Sequence, residues 1–279
     1  MTPLSRRTAV AALAAVTSVA LAGTAVAAHR VRPLPLAHAH NDYLHPRPLH
    51  DALDHGFTSV EADVFLVDGE LLVAHEPARL DPSRTLRSLY LDPLLARVSA
   101  NHGSVYAGYR RPVQLLIDIK ADGVAAYREL DRQLRPYRRM LSTVTAGRVH
   151  PGAVTPVVSG DRAARGPMEA QRVRHAFYDG RLDDLAAQTP APAAFIPLVS
   201  SNWTQSFDWR GEGPFPAAER ARLASIVGTA HARGQRIRFW ATPDRPGPAR
   251  DALWSELRAA GVDHINTDDL AGLRDFLNR

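Results

Sequence analysis

Cysteine is absent from this chain of 279 residues, and lysine occurs only once, at Lys120. Without thiols the chain can form no disulfide, thiolate nucleophile or thiolate metal site. Arginine supplies every other basic side chain, and the formal net charge is +5. Because the chain has no run of five basic residues and no recognisable nucleic-acid motif, we expect no nucleic-acid partner. The basic background instead favours the attraction of phosphorylated small molecules.

Long apolar runs are also scarce, and the one that suggests targeting lies at the start of the chain. Arg6 and Arg7 precede this run, and Ala25–Ala27 offers a small-residue cleavage site, as in secretory signal peptides. The run is too short for a convincing membrane span. We therefore predict a signal peptide at residues 1–27 and a secreted protein at residues 28–279. The arginine pair would also suit the twin-arginine export route, and an uncleaved N-terminal anchor is the alternative.

Strand-like and helix-like segments alternate along residues 28–279. Val113–Lys120 is the clearest strand, and Ala217–Ala232 and Ala249–Ala260 have the spacing of amphipathic helices. About eight strands with helices between them predict an α/β protein built as a single (β/α)8 TIM barrel, with a doubly wound sheet as the alternative. Polar residues close these strands at the end where barrel enzymes build their sites: His40, Asp63, His75, Lys120, Ser159, Asn202, Thr242 and Thr267.

Two carboxylates share one face of the predicted strand Ser59–Val64, because side chains alternate along a strand. Glu61 and Asp63 would point into the barrel, where unpaired charges are costly, and Asp118 occupies the matching face of Val113–Lys120. A hard divalent cation bound by these oxygens would remove that cost. An oxygen-only ligand set predicts Mg²⁺ or Ca²⁺. The alternative is a structural ion pair with arginines in the barrel interior.

Two histidines and the single lysine lie at predicted strand ends beside these carboxylates. His40 and His75, at the ends of barrel strands on either side of the carboxylate pair, suit general acid and base roles near neutral pH. Lys120 suits the neutralisation of a nonbridging phosphate oxygen. An ion pair between Asp118 and Lys120 would also account for the lysine.

Loops after two other strands supply candidates for substrate contact. Trp203 follows a predicted strand, so its ring could form an aromatic wall, with a buried loop anchor as the alternative. Arg162 follows another strand and would hold a phosphate group.

Four segments resemble the PLC-like phosphodiesterase superfamily: His40–Tyr43, Gly56–Val64, Leu71–His75 and Leu116–Lys120. Glycerophosphodiester phosphodiesterases, phosphatidylinositol-specific phospholipases C and the sphingomyelinase D toxins belong to that superfamily. The resemblance is strongest to the branch named for altered inheritance of mitochondria protein six. Gly261–Asp268 is also similar to the last barrel strand of the glycerophosphodiesterases.

The resemblance implies a set of roles and also shows two departures. It implies Glu61, Asp63 and Asp118 as metal ligands, His40 and His75 as catalytic histidines, Lys120 as a phosphate contact, and Trp240 as a counterpart of an active-site tryptophan in the toxin branch. Asn41 and Asp42 stand where glycerophosphodiesterases typically have arginine and glycine, and Glu76 stands where they have aspartate. Asn41 is therefore a substrate-binding candidate at a position that differs from the classical enzymes.

These observations predict a monomeric, metal-dependent phosphoric diester hydrolase or lyase. Its expected substrate is a glycerophosphodiester, a phospholipid or a lysophospholipid. We also expect transient contact with a membrane surface. Two alternatives remain. His38 and His40 also match the His-x-His opening of amidohydrolase-like barrels, although no further histidine ligands follow on the middle strands. A non-catalytic barrel could use the bound cation merely to capture phosphorylated ligands.

Overall fold

Eight parallel strands close into a barrel in the computed structural model, which describes residues 31–279. The predicted signal peptide lies outside these described residues. The strands are β1 (Leu34–Ala39), β2 (Phe57–Val67), β3 (Glu70–Val73), β4 (Val113–Ile119), β5 (Thr143–Thr145), β6 (Arg148–His150), β7 (Val154–Gly160), β8 (Val173–Arg174), β9 (Phe177–Gly180), β10 (Leu198–Asn202), β11 (Arg236–Trp240) and β12 (His264–Thr267).

Helices connect the barrel strands along the same part of the chain. The α-helices are α1 (His50–Asp54), α2 (Asp92–Ala100), α3 (Gly123–Leu134), α4 (Arg165–Glu169), α5 (Leu182–Ala186), α6 (Trp203–Ser206), α7 (Ala217–Ala232), α8 (Pro248–Ala260) and α9 (Leu270–Leu277). Shorter helical turns lie at Asp42–Leu44, Pro77–Arg79, Arg87–Leu91, Arg135–Tyr137 and Arg162–Ala164. Within residues 31–279, none of the helices is both long and apolar enough to cross a membrane.

The pairing of the first strand with the last decides between the two predicted architectures. Around the ring the order is β1-β12-β11-β10-β9-β7-β4-β2, and β2 pairs again with β1. Ala39 of β1 is therefore in register both with Val60 of β2 and with Thr267 of β12. A doubly wound sheet would leave two open edges, so the TIM-barrel prediction is confirmed and the doubly wound alternative is wrong.

A β-hairpin, and not a barrel strand, delivers His75 to the barrel rim. β3 pairs antiparallel with the outer half of β2, and the two-residue turn Asp68-Gly69 has positive φ at both positions, as a tight hairpin requires. The amide of Ala74 donates to the backbone carbonyl of Asp63 (3.2 Å), so the end of β3 lies beside Asp63. The prediction that His75 ends a parallel barrel strand is therefore wrong, although the residue does reach the rim.

The barrel interior is divided into an apolar side and a polar side. Leu116, Val157, Phe177 and Leu198 pack together from four adjacent strands and form the apolar side. Across from them, buried polar side chains of β1, β2, β11 and β12 form a hydrogen-bonded network centred on Arg238. The apolar cluster supplies packing energy, while the polar side must satisfy its own hydrogen bonds.

Leu116→Ala tests the weight of the apolar side. Leu116 is fully buried, so we expect the substitution to lower the free energy of unfolding by about 2–5 kcal/mol through lost burial and the cavity left behind. Leu95→Ala is the control, because Leu95 is exposed on α2 and should change stability by about 0.5 kcal/mol or less. Urea unfolding monitored by circular dichroism measures both variants, and equal losses would contradict the interior packing described above.

Candidate active site

Three carboxylates meet at the C-terminal end of β2 and β4. Asp63 and Asp118 are direct neighbours across these strands, and Glu61 lies two residues deeper on β2. One oxygen from each of the three side chains lies within 4.8 Å of the others. Gly160 leaves room for this arrangement, since a Cβ atom there would lie 2.7 Å from Asp118 Oδ1. The predicted convergence of Glu61, Asp63 and Asp118 is therefore present in the structure.

Lys120 lies between two of these carboxylates. Its Nζ is 2.7 Å from Asp63 Oδ2 and 3.2 Å from Asp118 Oδ1, and its side chain is only 24% exposed. Burial raises the pKa of Asp118 to about 6, and the charges of Glu61 and Asp63 add to that effect against the opposing charge of Lys120. The ion pair that the sequence allowed is thus formed, but it leaves the three carboxylates only partly neutralised.

The two oxygens of Asp63 have different surroundings. Oδ2 accepts hydrogen bonds from the Tyr43 hydroxyl (2.6 Å) and from His75 Nδ1 (3.0 Å), in addition to its contact with Lys120. Oδ1 is buried and has no partner among residues 31–279. A buried carboxylate oxygen without a donor is costly. Oδ1 is therefore suited to a cation, and with Glu61 and Asp118 it gives the hard oxygen set that Mg²⁺ and Ca²⁺ prefer.

Glu61 is tied to the polar interior beneath this cluster. Its Oε2 accepts from Arg238 Nη1 (3.1 Å) and lies 3.1 Å from His38 Nε2. Burial opposes ionisation of Glu61, but the charge of Arg238 and the contact with His38 outweigh it, so the pKa of Glu61 is lowered. The predicted alternative, an ion pair with an interior arginine, is therefore also realised. It engages one oxygen of Glu61 and leaves Oε1 without a hydrogen bond to the described residues.

His38 takes part in this interior network and does not reach the rim where His40 and His75 lie. Burial, followed by the charge of Arg238, lowers the pKa of His38 to about 4, so the ring is neutral. Its Nδ1 donates to Ser59 Oγ (2.7 Å), and its Nε2 accepts from Arg238 Nη1 (2.6 Å). Both nitrogens are occupied, so the His-x-His metal pair of an amidohydrolase-like site is not formed.

His40 and His75 are oriented in the same way by carboxylates. Nδ1 of His75 donates to Asp63, and Nδ1 of His40 donates to Asp268 Oδ1 (2.8 Å). In both rings this fixes the tautomer and leaves Nε2 without a hydrogen bond to residues 31–279, so that it is available for proton transfer. Burial alone would lower the pKa of His40, but the hydrogen bond that His40 donates to Asp268 and the charges of Glu61 and Asp268 raise it.

Asp268 orients His40, a role that the sequence motifs alone did not predict. Its backbone amide donates to Asp244 Oδ2 (2.7 Å), and the neighbouring Thr267 hydroxyl donates to Asp244 Oδ1 (2.6 Å). This arrangement ties the loop after β12 to the loop after β11 and holds Asp268 where His40 reaches it. The segment Gly261–Asp268 carried the signal, since a carboxylate directly after the last barrel strand lies at the same rim as His40.

Tyr43 is the second residue that was not assigned a role. Its hydroxyl lies 2.6 Å from Asp63 Oδ2, 2.7 Å from Asn41 Oδ1 and 3.1 Å from His75 Nδ1. One hydroxyl proton cannot serve all three atoms, and the charged Asp63 is the strongest acceptor. Tyr43 therefore links the loop after β1 to the carboxylate cluster.

The aromatic and arginine candidates for substrate contact occupy different surroundings. Trp240 is half-buried and shares the inward face of β11 with Arg238, which places it at the barrel rim. Trp203 is fully buried, stacks on Phe207 at 4.1 Å between ring centroids, and donates through Nε1 to the carbonyl of Trp209 (2.7 Å). The structure thus makes Trp203 a core anchor and not a substrate wall.

Arg162 is directed away from the carboxylate cluster. Its guanidinium lies 4.4 Å from the ring centroid of Tyr178, and its nitrogens donate to the carbonyl of Asp179 (2.7 Å) and to Asp184 (3.3 Å). Arg181, which follows β9, comes nearer to the site, since its charge acts on Asp118 while Asp179 holds its guanidinium at 2.7 Å. The contacts of Arg162 on the outer side of β9 therefore argue against a phosphate-holding role.

A parallel barrel whose acidic cluster and carboxylate-oriented histidines meet at one rim defines a protein of the PLC-like phosphodiesterase class. Residues 26–179, more than half of the chain, match the AIM6-like phosphodiesterase domain, and residues 236–271 match the glycerophosphoryl diester phosphodiesterase family. The chain therefore belongs to the family of AIM6-like phosphodiesterase domains, as the sequence motifs predicted.

Curated relatives span most of this chain. The Altered inheritance of mitochondria protein 6 homolog of Arthroderma benhamiae is 30% identical, over 88% of this chain and 84% of its own length. Altered inheritance of mitochondria protein 6 of Eremothecium gossypii is also 30% identical, over 91% of this chain and 73% of its own length. The protein of the same name from Saccharomyces cerevisiae is 26% identical, over 86% and 70% respectively. These names state no reaction or substrate.

Tyr43→Phe tests the link between the β1 loop and the carboxylates. Because the variant removes a donor from Asp63, we expect cation affinity to fall by about 10- to 100-fold and the free energy of unfolding to fall by about 1–3 kcal/mol. Isothermal titration with Mg²⁺ or Ca²⁺ and urea unfolding measure the two effects.

Tyr106→Phe is the matched control for that variant. Tyr106 is also buried, and its hydroxyl donates to the carbonyl of Phe57 (2.6 Å) at the start of β2, away from the cluster. The control should lose comparable stability but keep its cation affinity. An equal loss of affinity in both variants would show that Tyr43 acts only through stability.

Proposed function

We propose that this protein is an exported, metal-dependent phosphodiesterase that cleaves a glycerophosphodiester or a lysophospholipid. The observation that carries the proposal is the pair of histidines whose Nδ1 atoms are held by Asp63 and Asp268 beside a cluster of carboxylates. Cleavage of a phosphate diester needs one group that removes a proton and another that supplies one. This pair provides both groups with their Nε2 atoms free.

Glu61, Asp63 and Asp118 would hold the divalent cation. When bound, the cation would supply positive charge to stabilise the phosphoryl oxygens as negative charge develops on them. Lys120 would contact a nonbridging oxygen of the same phosphate, and its compact ammonium suits the narrow space between two carboxylates. The protein without cation carries three carboxylates against Lys120 and Arg238, so the cation also makes the site receptive to an anionic diester.

The environments of the two histidines suggest different roles. The raised pKa of His40 favours its protonated form, so Nε2 of His40 would donate a proton to the leaving alkoxide. Nε2 of His75 would remove the proton from the attacking hydroxyl as the new phosphorus–oxygen bond forms and the bond to the leaving group breaks. If the attacking hydroxyl belongs to the substrate, the product is a cyclic phosphate; if it belongs to water, the product is a phosphate monoester.

Export and surface contact are parts of the same proposal. We infer that residues 1–27 are removed as a signal peptide and that the exported protein acts as a monomer, with transient contact with lipid surfaces. The N-terminal sequence of protein collected from the culture medium would test this. A first residue at Ala28 supports the cleavage, whereas retention of residues 1–27 would contradict it.

Phosphorus NMR of the purified protein tests the reaction itself. With Mg²⁺ or Ca²⁺ and a panel of glycerophosphodiesters and lysophospholipids, we expect a new phosphorus signal that chelator abolishes. The chemical shift of that signal separates a cyclic phosphate from a monoester. If no diester is turned over, the assignment as an enzyme is wrong, and a barrel that only captures phosphorylated ligands is favoured.

His75→Ala and Asp63→Asn separate proton transfer from cation binding. At saturating cation, used because this variant also removes a donor from Asp63, His75→Ala should lower the rate constant kcat by about 10²- to 10⁴-fold while the cation still binds. Asp63→Asn should abolish both activity and cation binding. His150→Ala is the control, because His150 is exposed on β6 and should leave activity unchanged. Retained turnover in both Asp63→Asn and Glu61→Gln would contradict the assignment of the metal ligands.

A further inference from the structure

A cavity of about 490 Å³ lies at the opposite end of the barrel from the carboxylate cluster. Residues at or near the beginnings of barrel strands line it, among them Leu36, Gln114, Phe177, Arg236 and His264. Its volume falls within the range of cavities that bind small molecules. The phosphodiesterase proposed above has no use for a cavity at this end.

Arg236 is held at the inner end of this cavity by two neutral side chains. Its Nη2 donates to Gln114 Oε1 (2.6 Å) and its Nη1 donates to His264 Nε2 (2.9 Å), both of which are neutral partners. No ion pair joins Arg236 to a carboxylate of residues 31–279. Burial lowers the pKa of Arg236, and the nearby charge of Arg111 adds to that effect against the charge of Asp263. A guanidinium in this position gains from an anion that completes its hydrogen bonds.

His264 supplies a second, independent observation. The side chain is 3% exposed, and its Nδ1 has no hydrogen-bond partner within the described part of the chain. Since Nε2 accepts a hydrogen bond from Arg236, the neutral ring carries its proton on Nδ1. A buried N–H donor therefore remains unsatisfied in a residue that lines the cavity.

The remaining wall indicates what else the ligand carries. Pro35, Pro112, Pro151, Pro197 and Phe177 give the cavity a largely apolar wall. Asp263 also lines it, but its Oδ2 already accepts from His231 Nε2 (2.9 Å) and from the Ile237 amide (2.9 Å). The charge of Asp263 disfavours a dianion such as a phosphate monoester, whereas a carboxylate brings a single negative charge and the geometry that a guanidinium binds well.

We propose that this cavity binds an amphipathic carboxylate, with the carboxylate on Arg236 and its hydrocarbon or aryl body against the proline-rich wall. The site is separate from the catalytic mouth, since Arg236 and Lys120 lie at opposite ends of the barrel strands. Octanoate is a suitable probe because it combines one carboxylate with a short apolar chain.

Isothermal titration of the purified protein with octanoate, octyl phosphate, octanol and octylamine tests this proposal. We expect octanoate to bind, octyl phosphate to bind more weakly, and octanol and octylamine to bind at least about tenfold more weakly than octanoate, because they lack the charge that Arg236 recognises. Arg236→Met should weaken octanoate by about tenfold or more. Octanol that binds as tightly as octanoate, or no octanoate binding at millimolar concentration, would overturn the proposal.

Two further comparisons locate the site and guard against misfolding of Arg236→Met. Arg111→Ala removes an exposed arginine that lines the cavity and should weaken octanoate several-fold, whereas Arg110→Ala, its exposed neighbour outside the cavity, should not. Lys120→Met should leave octanoate binding unchanged. Equal effects of the Arg110 and Arg111 variants, or loss of octanoate binding in Lys120→Met, would place the carboxylate elsewhere and refute the assignment.

Discussion

The asymmetric environment of the Asp63 carboxylate is the interaction on which the site depends. Tyr43, His75 and Lys120 all approach Oδ2, while Oδ1 stays buried and receives no donor from the part of the chain that the structure describes. One oxygen thus organises the loop after β1, the hairpin of β2 and β3, and the end of β4. The other remains available for a cation. A carboxylate in this position couples substrate-side groups to cation binding, because a shift in any of the three donors moves the atom that the cation would contact.

Arg238 allows this cluster to exist above a packed barrel. Buried carboxylates require compensation, and Arg238 stabilises Glu61 from below while donating to His38 and to Asn266 Oδ1 (3.2 Å). Because Arg238 satisfies one oxygen of Glu61 and also donates to the neutral His38, the interior can carry charge without opening to water. The apolar side around Leu116 supplies the packing that this polar side cannot.

Local sequence patterns predicted which site residues share a face of one strand. Which residues of different strands meet at the site depends on long-range strand pairing. Glu61 and Asp63 followed from alternation along β2, which needs no knowledge of the neighbouring strands. Asp268 could be placed beside His40 only once β1 was known to pair with β12, because 228 residues separate the two side chains. The prediction of a substrate wall at Trp203 failed for a related reason, because α6 turns the Trp203 ring into the core directly after β10. The hairpin that carries His75 did have a local signal in its Asp-Gly turn.

The departure from the glycerophosphodiesterase pattern after His40 changes the architecture of the loop. Asn41 adopts a left-handed conformation with φ of 47°, which asparagine tolerates better than most residues. Asp42 is fully buried, and its Oδ2 accepts from the Leu49 amide (2.6 Å), which anchors the turn. Together these two residues place Tyr43 on Asp63. A larger basic side chain at position 41 would meet the Tyr43 hydroxyl, which lies 2.7 Å from Asn41 Oδ1, so the position of Tyr43 depends on this departure from the glycerophosphodiesterase pattern.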